Sequence, residues 1–128
     1  METDQPKLVP EVKAKWVAAL RSGKFKQTEG RLADERGFCC LGVLCEIYKE
    51  EDADYAARCQ PFEGGGGAHM YDGHSGIPPD SVARWAFSWS VWPDIDLKIK
   101  DLVCSPAQHN DKWGRTFEEI ADAIEEQL

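Results

Sequence analysis

The thirteen residues Gly37-Phe-Cys-Cys-Leu-Gly-Val-Leu-Cys-Glu-Ile-Tyr-Lys are apolar on every side of a helical wheel. A helix with no polar face has to be enclosed by other elements, so Phe38 to Tyr48 is expected to be a central buried helix around which the rest of the chain is arranged. Gly42 interrupts it at a cost of about 1 kcal/mol against Ala, which implies that another backbone passes close by at that point. A chain of 128 residues has room for one such core, and the expectation is a single domain over residues 1–128.

The flanking segments carry their own periodicities. Val12, Trp16, Ala19 and Leu20 recur at helical spacing between Pro10 and Arg21. Lys24 to Thr28 alternates, Glu29-Gly30 reads as a turn, and Arg31 to Ala33 returns as a second strand of a hairpin. Ile77-Pro-Pro-Asp opens a helix with Val82, Trp85, Ala86 and Trp89 on one face, ending near Pro93. From Asp94 to Lys100, Ile95, Leu97 and Ile99 share one side of a half-buried strand. Thr116-Phe-Glu-Glu is a capping box that starts a last helix with Phe117, Ile120, Ala121, Ile124 and Leu128 on its apolar stripe. The fold class is therefore α+β: four helices, the central one at 38–48, on a small antiparallel sheet built from the hairpin and Asp94–Lys100. Between them, residues 60–76 form an expected flexible loop around Gly64-Gly-Gly-Gly, where backbone can approach a ligand closely.

Charge and composition narrow the function classes. A net charge of −8 and a pI near 4.8 disfavour direct binding to nucleic acid. No apolar run reaches membrane-spanning length and Met1 to Lys7 lacks the pattern of a secretory signal, so a cytoplasmic location without membrane partners is expected. The cysteines Cys39, Cys40, Cys45, Cys59 and Cys104 are odd in number and are read as free thiols. Cys40 and Cys45 stand about 140° apart around a helix axis and no Cys-x2-Cys or His-x3-His spacing occurs, so neither a metal nor another cofactor is expected.

Three blocks resemble small uncharacterised proteins encoded by tailed phages and prophages: Lys15-Trp-Val-Ala-Ala-Leu-Arg-Ser-Gly-Lys-Phe-Lys-Gln leading into Phe38-Cys-Cys-Leu-Gly-Val-Leu-Cys-Glu-Ile-Tyr; Ile77-Pro-Pro-Asp-Ser-Val-Ala-Arg-Trp; and Asn110-Asp-Lys-Trp-Gly-Arg-Thr-Phe-Glu-Glu-Ile-Ala-Asp-Ala-Ile-Glu. Together they span over half the chain. The resemblance implies a phage origin, hence residence in the host cytoplasm, and no particular activity.

Two constellations remain as chemistry. Cys39 and Cys40 fall in the first turn of the central helix, where the helix dipole favours a thiolate, and His109 and Asp111 follow downstream; a cysteine-dependent hydrolase would use these four. Against it, no catalytic signature surrounds either cysteine, and packing is the simpler role. The second is a binding set. Lys24, Lys26, Arg31 and Arg36 around the hairpin could neutralise phosphates, His69, Tyr71 and His74 flank the glycine run, and Asn110, Asp111 and Trp113 precede the last helix, where Trp113 or Tyr71 could stack on a base. For Asn110 and Asp111 a local turn or cap is the simpler reading. The expected function is binding of a small polar, nucleotide-like ligand without conversion, sequestering a host immune signal. The alternatives are the hydrolase and an acidic module that inhibits a host protein; self-association is left open.

Overall fold

The structure, a computed structural model, describes residues 7–61 and 69–128. It is α+β, with six helices among the described residues where four were expected. They are α1 (Pro10–Arg21), α2 (Cys40–Glu51), α3 (Ala53–Ala57), α4 (Asp80–Phe87), α5 (Pro106–Asp111) and α6 (Phe117–Gln127). The strands are β1 (Ala33–Asp34), β2 (Gly37–Phe38), β3 (Cys59–Pro61), β4 (His69–Tyr71), β5 (Leu97–Ile99) and β6 (Leu102–Cys104). They pair in sequence order as three separate antiparallel two-stranded sheets, so the single sheet joining the hairpin to Asp94–Lys100 does not form.

Helix α2 is central, in contact with α1, α3, α5 and β2. Its buried part is Cys40 to Cys45; Glu46 to Lys49 are half-buried and the last two residues are exposed. Phe38, placed in the helix by the sequence, instead pairs in β2, and Cys39 is the N-cap. The close backbone approach inferred at Gly42 is present: a Cβ there would lie 1.8 Å from the Leu32 carbonyl oxygen. That crossing fixes where the chain enters the helix, because Cys39 N–H donates to the same Leu32 oxygen at 3.0 Å.

The expected hairpin between Lys24–Thr28 and Arg31–Ala33 is replaced by a different pairing. Phe38 N–H donates to Lys26 O and Thr28 N–H to Phe38 O, both at 2.8 Å, a parallel bridge between Gln27 and Phe38. Gly37 permits it, since a Cβ at its φ of +151° would sit 2.2 Å from Lys26 O. Lys26–Thr28 thus pairs with Phe38 and not with Arg31–Ala33.

The alternation in Asp94–Lys100 places Ile95, Leu97 and Ile99 in the core as expected. Its partner β6 was not anticipated, because the turn between them uses Lys100 (φ 52°) and Asp101 (φ 68°) in the left-handed region with no glycine to announce it. Helix α4 ends earlier than Pro93: Ser88 adopts a left-handed φ of 61° and closes it. Trp89, expected on the core face, therefore lies outside the helix and is exposed, while Trp92 is half-buried against Phe87 in an edge-to-face contact at 5.2 Å. Helix α6 has the expected capping box of Thr116 and Glu119, with Phe117, Ile120, Ala121 and Ile124 buried. It packs along α1, where Arg21 bonds Asp122 and Glu125 at 2.6 and 2.9 Å.

Part of the expected 60–76 loop is ordered pairing. Strands β3 and β4 are joined by a register of Cys59 with Tyr71 and Pro61 with His69, and Asp72-Gly73 makes a tight left-handed turn between Tyr71 and His74. The glycine run Gly64 to Gly67 lies outside the described residues. Among the described residues no helix is long and apolar enough to cross a membrane.

Candidate functional site

The region where α2 begins is built from residues far apart in sequence. Asn110, buried near the end of α5, accepts at Oδ1 from Gln27 Nε2 (2.8 Å) and from Cys40 N–H (3.2 Å). Its Nδ2 donates to Thr28 O and to Asp111 Oδ1, both at 2.8 Å. Two lone pairs and two N–H bonds are all an amide side chain has, so Asn110 has no capacity left for a ligand. It ties α5, the Gln27–Thr28 crossing and the first turn of α2 together. Gln27 adds a bond to Arg115 O at 2.8 Å, and Trp16 Nε1 donates to Cys40 O at 2.9 Å from α1.

The thiols at this junction are not poised for attack. Burial pushes Cys39 up to about 11, with the nearby Asp111 carboxylate acting in the same direction, against partial opposition from the Gly42 and Leu41 N–H groups. Cys40 is raised further by complete burial, and then by Cys39 and Asp111, and its thiol faces Pro106 O at 3.5 Å. The expected help from the helix start is present at Cys39 and is outweighed by loss of water. His109 does not serve either cysteine: its Nε2–H donates to Leu97 O at 2.7 Å, toward β5, and its buried Nδ1 has no partner among the described residues. The set Cys39, Cys40, His109 and Asp111 is thus gathered near one helix end without a thiol–imidazole hydrogen bond.

The expected binding residues divide into groups. Arg36 grips buried Asp34 through Nη2 at 2.9 Å and its backbone N–H at 2.8 Å, and holds that carboxyl below its ordinary range, with Arg31 adding to the field. Leu32 N–H donates to Ser75 O at 2.7 Å, which brings the segment that leads into β1 alongside His74–Ser75. His74 is exposed, as are Lys24 and Lys26, with Lys24 Nζ 5.8 Å from the Phe25 ring centre. Tyr71 is buried in the core and donates to Glu46 Oε2 at 2.7 Å, so it offers no stacking face. Of His69, only its backbone place in β4 is described. Asp111 and Trp113 are exposed, the latter with Lys112 Nζ 5.3 Å from its ring centre.

None of these residues lines a groove of about 510 Å³ next to the junction. Its floor is Leu41, from the first turn of α2, and Ile95. Trp92 and exposed Ile77 form apolar walls, the start of α5 at Ser105–Gln108 closes another side, and Asp94 and Asp96 stand in its lining. The volume falls in the range of small-molecule pockets. Sequence reading missed it because its residues come from four segments, although one signal was available: Ser105-Pro-Ala-Gln is a capping box with Pro at the helix start, and it forms with both reciprocal bonds. Among the described residues no group of three or more His, Cys, Asp or Glu side chains is arranged to hold a metal ion.

Neither a curated protein nor a solved structure matches the chain. A family described as a domain of unknown function, DUF8296, matches residues 8–128, and the chain belongs to that family.

Proposed function

We propose that this protein binds a small molecule in the groove beside α2 and does not convert it. The observation that carries the proposal is the groove itself: about 510 Å³ with an apolar floor and walls and a few polar side chains in its lining. The chemistry nearest to it supports binding over turnover, because both helix-start thiols are buried with raised pKa values and His109 is engaged elsewhere. The resemblance to phage-encoded proteins supplies a setting in which holding a ligand is a function in itself: sequestration of a host signalling molecule. The groove lining does not itself favour a nucleotide form of this reading, since its charged side chains among the described residues are the carboxylates of Asp94 and Asp96.

Calorimetric titration with cyclic dinucleotides and cyclic ADP-ribose isomers tests the nucleotide form, and mass spectrometry of metabolites retained from infected-cell extract tests the wider one. The expected result is an unmodified ligand, retained equally by Cys39→Ala and Cys40→Ala. A cleaved product that disappears in either variant would replace sequestration with hydrolysis. Alkylation is an independent check: with Cys39 near 11, its native-state modification at neutral pH should be roughly a hundredfold slower than that of an unfolded thiol.

A further inference from the structure

We infer that the groove selects a cationic ligand, an amine on a flat apolar body; the inference rests on the groove reading above and names its ligand class. Among the described residues the lining carries two carboxylates, Asp94 and Asp96, and no Lys or Arg. Both side chains are exposed, and neither carboxylate makes an ion pair or hydrogen bond among the described residues. This contrasts with the other carboxylates at structural positions: Asp34 is gripped by Arg36, Asp72 by Arg58 at 2.8 Å, and Glu119 by Lys100 at 3.1 Å.

The alternation of burial ahead of β5 explains the pairing of charge with an apolar surface. Asp94 and Asp96 alternate with buried Ile95 and Leu97, so the two carboxylates emerge on the same side of the chain as it approaches β5. Beside them Trp92 is held by the edge of Phe87, with ring planes at 86°, which fixes its orientation before any ligand arrives. An indole wall attracts a cation across its face, and apolar Leu41 and Ile77 suit the body that carries the charge. An anionic ligand would meet two unneutralised carboxylates in the same space, within a chain of net charge −8.

The test uses three indoles that differ in charge: tryptamine, tryptophol and indole-3-acetate. Each is titrated into the intact protein and followed by amide and indole N–H NMR shifts, with calorimetry for affinity. Tryptamine should bind tightest and indole-3-acetate weakest, with shifts centred on Leu41, Trp92 and Ala107 and with affinity falling as salt rises. Asp94→Asn/Asp96→Asn should weaken tryptamine by about fivefold to tenfold and leave tryptophol unchanged. Equal binding of all three at the groove would overturn the charge selection and leave the groove reading standing. Shifts located elsewhere, or no shift with any indole at millimolar concentration, would overturn both.

Discussion

The first turn of α2 borders two regions built in different ways. Cys40 turns its backbone toward Asn110, where each polar atom of the amide has a partner and water is shut out. Leu41, one residue on and about 100° around the helix, forms the floor of an open groove whose two carboxylates have no partner among the described residues. Saturated hydrogen bonding marks a position selected for holding the chain together, whereas apolar surface next to uncompensated charge marks one that can still gain from a contact. The residues with the most conspicuous chemistry in the sequence, the paired cysteines and His109-Asn110, belong mainly to the first kind.

The largest effect is expected at Gly42→Ala, on the closed side. The added Cβ would lie 1.8 Å from Leu32 O and 2.7 Å from its carbonyl carbon, and neither is the end of a side chain that can swing away. Relief requires moving either α2 or the Leu32 crossing, so a loss of about 3 kcal/mol or more is expected, measured by urea denaturation or seen as failure to accumulate folded protein. Wild-type stability in this variant would show that the two backbones do not cross there.

Next comes Asn110→Ala, expected to cost about 2–4 kcal/mol because it strands Cys40 N–H and Thr28 O in a buried setting and removes a partner from Gln27. Asn110→Asp should recover only part of this, since a carboxylate can accept from Gln27 and Cys40 and cannot donate to Thr28. The comparison becomes sharper if the folded fraction of either variant keeps wild-type ligand affinity. Loss of groove binding in a well-folded Asn110→Ala protein would mean that the two regions act as one.

How far the sequence foretold this depends on the range of the interaction involved. The capping box at Thr116, the stripe of α6 and the alternation of Ile95, Leu97 and Ile99 are local patterns, and each was legible. Gly42 was legible as a close approach, though not its partner Leu32, because nothing in the spacing identifies which backbone comes near. The hairpin at Lys24–Ala33 failed for the same reason: its local alternation is real, but a distant partner, Gly37–Phe38, competes successfully for the Lys26–Thr28 edge. Trp89 left the core face because one residue, Ser88, takes a left-handed conformation that its identity does not advertise. Of the candidate site, the junction residues could be named from the sequence and their roles could not, since burial decides between a reactive thiol and a packed one. The groove is a product of tertiary packing throughout.

A smaller effect is expected from the ion pair between buried Asp34 and exposed Arg36. Its carboxyl is held low by the Arg36 guanidinium, so the folded pKa lies below the unfolded one; the stabilisation is present above the unfolded value near about 4 and fades as pH falls through the folded value. With Arg36 largely exposed, about 1 kcal/mol is expected at neutral pH. Wild type and Asp34→Asn should therefore differ by about that amount at pH 7 and converge in denaturation measurements as pH falls through the depressed folded value. A difference that grows on acidification would reverse the assigned sign.

The smallest effect is expected where function is proposed. Asp94→Asn/Asp96→Asn removes two exposed carboxylates that hold no partner among the described residues, in a chain whose net charge is −8. Nothing is stranded by the change, and self-repulsion is slightly relieved, so stability should shift by less than about 0.5 kcal/mol, in either direction. Between the two positions, Ile95→Ala should lose about 2–4 kcal/mol, because Ile95 is buried and its removal leaves a cavity under the same segment. The contrast separates a buried side chain that the fold needs from charges that it does not. If the double Asn variant instead unfolds as readily as Ile95→Ala, the carboxylates are holding structure, and the groove would lose the uncompensated charge on which its choice of a cation depends.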